Sequence, residues 1–195
     1  MQISKLIKTY GKLYSAELGI NLKTGKENEI FKWFLASILF GKRIGENIAA
    51  NTYREFVKAG IITPKAILKA GWDKLVKILD DGGYVRYDFS TAIRLLEISK
   101  KLLIDYKGKV TNIHEKAVDA KDLEKRLEEF KGIGPITVNI FLRELRHIWK
   151  KADPELLAIV RKVAKKFKIK LPAERKTKSF IKLEAALIRL RKKCL

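Results

Sequence analysis

Phe130-Lys131-Gly132-Ile133-Gly134-Pro135-Ile136-Thr137-Val138-Asn139 is the stretch on which the reading of this 195-residue chain turns. An amphipathic run from Asp122 to Phe130 leads into a Gly-x-Gly corner, and a second helical run follows at once, to about Trp149. So tight a corner between helices calls for glycine twice, at Gly132 and Gly134, because the backbone must reach conformations that a side chain disfavours. Pro135 falls in the first turn of the next helix, where its missing amide costs nothing. The predicted result is a cluster of free N–H groups at a helix N-terminus, with the positive end of the helix dipole behind them. That is an anion site, formed by Gly132, Ile133, Gly134, Ile136 and Thr137.

The bulk composition says which anion to expect. With 43 Lys and Arg against 22 Asp and Glu, the net charge is +21, and no acidic block offsets it. An excess of that size points to a polyanionic partner, DNA, RNA or an anionic membrane surface, and on this corner to a nucleic-acid phosphate. Apolar residues make up 47%, enough for a globular core. There is no run of 18 uncharged apolar residues for a membrane span, and Met1-Gln2-Ile3-Ser4-Lys5 lacks the apolar core of a signal peptide, so a soluble intracellular protein is expected, cytoplasmic or nucleoid-associated. Cys194 is the single cysteine, which excludes an internal disulfide, a cysteine zinc site and a four-cysteine iron–sulfur cluster. His114 and His147 are isolated and give no metal-ligand pattern. One Met, one Cys and one Gln (Gln2), with abundant Lys, Ile and Glu, match a heat-adapted composition.

Periodicity is helical nearly throughout, so the expected fold class is all-α. The predicted helices are 2–19, 28–40, 44–59, 64–70, 72–80, 87–106, 120–130, 135–149, 154–168 and 175–193, with the helix–hairpin–helix at 121–149. Residues 30–40 are apolar almost all round and should run through the centre of a core. Phe89, Ala92, Ile93, Leu96 and Leu103 form one stripe, and Phe180, Leu183, Leu187 and Leu190 another. Thr63-Pro64 and Asp153-Pro154 both read as an N-cap followed by proline at the first helical position. The expected organisation is a central helical domain, 26–149, and a second lobe from residues 1–25 with 150–195.

Asp153 lies 21 residues after Gly132, beyond the second helix of the hairpin. Gly132-Ile133-Gly134, then Ile136 to Trp149, then Asp153-Pro154-Glu155-Leu156-Leu157, resembles the pattern of the endonuclease III-type superfamily of helix–hairpin–helix DNA glycosylases. The resemblance covers roughly 28–165: Phe31 to Phe56 looks like that family's early helix pair, and Gly82-Gly83-Tyr84 like its turn before a long helix. It implies a two-lobed helical DNA glycosylase fold, in which the hairpin holds double-stranded DNA carrying a lesion or mismatch and Asp153 faces the cleft. A carboxylate suits that chemistry, since cleavage of an N-glycosidic bond develops positive charge on the sugar. The anion stabilises the charge and orients the attacking water, after the base has left the stack. Plain N-capping accounts for Asp153 locally, and the two roles are compatible.

Two departures bear on the chemistry. Where lyase-active members of the family carry a lysine, this chain has Ile136, which forms no Schiff base, so a monofunctional hydrolase is expected. Lyase activity from Lys131, Lys150 or Lys151 and a non-catalytic DNA-binding module are the alternatives. The cluster-binding cysteines of many relatives are missing, so no cofactor is expected beyond room for a monovalent cation at the hairpin, and the resemblance implies a monomer. Lys42 and Arg43 stand where the family probes the gap left by the extruded base, although a charged loop explains them as well. Tyr84 and Tyr87 are candidates for stacking on the base or for packing, and Glu144 for the cleft or a solvated face. Which base is removed is not legible in the sequence.

Overall fold

A computed structural model describes residues 2–191. Among them the helices are α1 (Ile3–Tyr10), α2 (Tyr14–Glu17), α3 (Glu27–Phe40), α4 (Glu46–Lys58), α5 (Pro64–Asp81), α6 (Asp88–Tyr106), α7 (Thr111–Lys116), α8 (Ala120–Glu128), α9 (Pro135–Arg143), α10 (Ala158–Lys166) and α11 (Lys178–Leu190), with a 3-10 turn at Leu22–Thr24 and no strand. The all-α expectation holds.

The apolar helix does run through the core. In α3 Ile30, Phe31, Trp33, Phe34, Leu35, Ala36, Ile38 and Leu39 are buried, and even Ser37 is, its hydroxyl donating to the Trp33 carbonyl. α3 packs on α4 and on α9, and the Trp33 indole N–H donates to the Phe141 carbonyl at 3.0 Å, tying the hairpin's second helix to the core. α5 and α6 pack along each other, while α11 lies against α1 and α10. The predicted stripe Phe180, Leu183, Leu187 and Leu190 is wholly buried. Cys194 lies outside the described residues.

Several local readings change. The helix expected at 2–19 breaks at Gly11, where the chain passes so close to α11 that a Cβ would sit 3.0 Å from the Lys182 carbonyl oxygen and 2.5 Å from that of Ile7. The stripe on α6 is rotated: Ala92, Leu95, Ile98 and Leu102 are buried, whereas Phe89 and Ile93 are exposed. α7 was not expected. The expected division between 64–70 and 72–80 is present, by contrast: Gly71, with φ 72° and ψ 176°, is non-helical and splits α5 into two helical segments, and Thr63 caps the first by accepting from the Ala66 amide. Asp153-Pro154 does not start a helix. The next helix begins at Ala158, because the Asp153 carboxylate and the Pro154 carbonyl are both held by Arg146.

Candidate nucleic-acid interface and active site

The hairpin begins with a capped helix. The Asp119 carboxylate accepts from the Asp122 amide at 2.8 Å to start α8, and Leu123, Leu127 and Phe130 bury its apolar face. The chain then turns through residues 129–134 into α9, with Pro135 in the first turn. Only one of the two glycines is there for its backbone. Gly132 has φ +88° and a Cβ on it would meet the Arg94 side chain at 2.4 Å, whereas Gly134, at φ −114° and ψ 180°, is extended as any residue can be, with nothing within 4 Å of its would-be Cβ. Gly134 therefore contributes open space outside the corner.

The amides of Gly132, Gly134, Ile136 and Thr137 have no acceptor among the described residues, and they cluster at the positive end of α9. Ile133 departs from the sequence expectation: its amide closes the turn onto the Phe130 carbonyl at 2.9 Å and its side chain is buried, so it anchors the corner. The Thr137 side chain is also buried, packed against Gly41 at the end of α3, while Ile136 is 53% exposed.

Cations surround this corner. The Lys42 ammonium donates to the Gly132 carbonyl at 3.4 Å, and partial burial, with the neighbouring Arg94 guanidinium adding to it, pulls its pKa below that of a free lysine. Lys131 pairs with Glu97 at 3.0 Å. Arg43 is exposed on the same loop as Lys42. Sequence reasoning missed Arg94: it is one arginine on the polar side of a long helix, with nothing local to mark it.

Asp153 sits in the extended segment between α9 and α10. Its Oδ1 accepts from Arg146 Nε at 3.3 Å and its Oδ2 from Arg175 Nη2 at 2.8 Å, and the side chain stays 27% exposed. Arg146 is fully buried and also reaches Glu184 and the Pro154 carbonyl, so α11 and the segment share one guanidinium. The segment is stitched to the hairpin as well, since Asn139, one turn beyond the free amides, donates from Nδ2 to the Glu155 carbonyl at 2.7 Å. A carboxylate retains lone pairs beyond the two bonds Asp153 accepts, so it has capacity left for a water or a developing cation. Glu124 on α8 faces this segment: burial raises its pKa, and the charges of Glu128, Glu155 and Asp153 add to that. Arg146, Arg175, Asn139 and Glu124 carry no sequence signal, because each acquires its place only through the fold.

The other candidates are placed elsewhere. Tyr84 is fully buried and its hydroxyl donates to the Leu39 carbonyl at 2.6 Å, so it is a packing residue. Tyr87 is half-buried beside it, with ring centroids 6.2 Å apart and the Arg86 guanidinium over its face. Glu144 is neither solvated nor a free cleft carboxylate: it is 1% exposed, accepts from the amides of Tyr14 and Ser15 at 2.8 and 3.1 Å at the start of α2, and burial raises its pKa. Two of the lysines weighed as amines are engaged: Lys131 pairs with Glu97, and the Lys151 ammonium caps the end of α7 at the carbonyls of His114, Glu115 and Ala117. Among the described residues no helix is long and apolar enough to cross a membrane, and no three His, Cys, Asp or Glu side chains group as metal ligands.

No protein-family model and no curated protein matches the chain. Among solved structures it is similar to the H. pylori 3-methyladenine DNA glycosylase MagIII bound to 1,N6-ethenoadenine, with a TM-score of 0.54 at 15% identity, over 100% of this chain and 99% of that one. The likeness runs from end to end, and the fold is the all-helical one of that DNA glycosylase.

Proposed function

We propose that this protein is a monofunctional DNA N-glycosylase of base-excision repair, which extrudes a damaged or mispaired base from double-stranded DNA and hydrolyses its bond to deoxyribose. The observation that carries the reading is the connection between anion site and carboxylate: Asn139 joins the hairpin, whose amides have no acceptor among the described residues, to the extended segment that bears Asp153. The phosphate strand held by the amides of Gly132, Gly134, Ile136 and Thr137 is flanked by Lys42, Arg94 and Lys131, and Arg43 follows Lys42 on its loop. Arg146 and Arg175 fix the Asp153 carboxylate, which stabilises the charge growing on the sugar and directs water to the anomeric carbon. The end-to-end likeness to a glycosylase captured with a modified adenine supports the same class of reaction. Hydrolysis of this kind runs on a carboxylate and water alone. Ile136 at the lysine position and the engagement of Lys151 favour hydrolysis over strand cleavage by an amine. The division into a central domain, 26–149, and a lobe from both termini is retained in this proposal, supported by the packing of α1 and α10 on α11. So are action as a monomer and an intracellular site.

A second reading, a DNA clamp without catalysis, is favoured by one feature: both Asp153 oxygens already hold arginines, as a purely structural carboxylate would. Oligonucleotides each carrying a single lesion, followed by alkali, decide between the two. The glycosylase leaves alkali-labile abasic sites with at least one lesion and no nick before alkali. Release from none of them leaves only the clamp.

A further inference from the structure

A cavity of about 310 Å³ lies between α2, the end of α3, α4 and α11. Its most informative wall is Tyr14, 6% exposed, whose hydroxyl has no hydrogen-bond partner among the described residues. A buried hydroxyl left unpaired is costly, and in native structures such groups are satisfied by a ligand or water. The ring is held in place: Phe40 meets it edge-on with centroids 6.0 Å apart, and the Arg189 guanidinium sits 4.1 Å from its centroid. Burial raises the pKa of the hydroxyl, which keeps its proton and can donate it. Asn47 and Asn51, one turn apart on α4, bring amide donors and acceptors to the same cavity.

Resting on the glycosylase reading, we infer that this cavity is the pocket for the extruded base and takes a single planar heterocycle of purine size, with the Tyr14 hydroxyl and the amides of Asn47 and Asn51 reading its polar edge. An apolar ring wall with a few converging donors and acceptors suits a nucleobase. Glu17 and Glu46 on the lining are offset by Arg54 and Arg189, and both carboxylates are ion-paired, so the walls present no net positive charge to draw a bare phosphate, and the amides disfavour an acyl chain. The location agrees. Phe40 runs directly into Gly41, which packs against Thr137 of the hairpin, and into Lys42, which reaches the Gly132 carbonyl. A base leaving a strand held at the hairpin thus has a short path to the Phe40 wall.

Ligand-observed NMR on the full-length protein with free adenine and free thymine tests this, with Tyr14→Phe and Asn51→Ala as variants and thermal melting to confirm that each folds. Adenine binding is expected, stronger than thymine, with a loss of about tenfold in Tyr14→Phe and several-fold in Asn51→Ala. Asn51 is exposed, so its variant carries the test should Tyr14→Phe not fold. Absence of binding by the wild type, or unchanged binding in the folded variants, overturns the pocket assignment. The lesion assay separates this failure from that of the parent reading. Base release by the wild type with relative lesion rates unmoved in both variants sinks the pocket alone. Adenine binding that the variants weaken, without release of any base, sinks the glycosylase alone.

Discussion

Replacing each hairpin glycine by alanine separates backbone need from space for a strand. At Gly132 the methyl group meets two obstacles. A φ of +88° is adopted by L-residues only at a cost of about 1–2 kcal/mol. The new Cβ would also lie 2.4 Å from Arg94 Cδ and 2.8 Å from its Nε, which the arginine relieves by swinging away from the corner. For a chain of this size each kcal/mol moves Tm by about 2–4 °C, so Gly132→Ala should lower Tm by roughly 2–8 °C. It should also weaken duplex binding, since Arg94 leaves the corner. At Gly134 neither obstacle exists, and Gly134→Ala should melt with the wild type. The methyl group nonetheless occupies the space a phosphate needs beside the free amides, so duplex affinity should fall several-fold, equally for all sequences. Thermal melting and fluorescence anisotropy with undamaged duplexes measure the two effects. Equal melting losses in both variants would refute the geometric distinction. Wild-type affinity in Gly134→Ala would show that no strand passes there.

Three further outcomes are expected. Ile136→Lys, at a position more than half exposed, should leave Tm unchanged and yield a borohydride-trappable adduct with abasic DNA that the wild type does not form; no adduct would mean that Ile136 does not face the sugar. Duplex affinity should fall linearly in a log–log salt titration, with a slope of about 0.9 per phosphate neutralised, and Lys131→Ala should reduce that slope by about one; a flat wild-type curve would separate the +21 charge from DNA. Burial, and then the charges of Lys178 and Lys23, lower the pKa of His147, so the unfolded chain takes up the proton first as pH falls through the ordinary histidine value of 6.5. The stability due to neutral His147 is therefore present above that value and lost below it, and Tm should drop more between pH 7.5 and 5.5 in the wild type than in His147→Gln. Equal drops would contradict this. The buried Glu144 and Glu184, whose pKa values are raised, act in the opposite direction but identically in both proteins.

The sequence declared its long helices wherever apolar residues were continuous or recurred at helical spacing. It failed where two elements compete for the same group. Residues 30–40 and the stripe on α11 could be read because their apolar periodicity coincides with their burial. Phe89 and Ile93 misled because periodicity does not say which of two adjacent stripes faces inward. Asp153-Pro154 carries a helix-start signal, yet Arg146, seven residues before, and Arg175, 22 residues after, take the groups that would have capped it. Glu144 seemed free for the same reason: nothing near it in sequence reveals the two amides of α2. The anion corner was legible because Gly-x-Gly-Pro acts locally. Lys42 and Arg94 beside it and the arginines around Asp153 come from the loop after α3, from α6, from the turn after α9 and from the segment before α11, and only the fold assembles them.

The central claim, that the Asp153 carboxylate performs the chemistry, is tested most directly by Asp153→Asn under single-turnover conditions on whichever lesion duplex the wild type processes. The amide keeps the side chain's shape but loses its charge. Base release should fall by at least about 100-fold while duplex affinity stays within a few-fold of wild type. Release at the wild-type rate by a folded, DNA-binding Asp153→Asn protein would contradict the account.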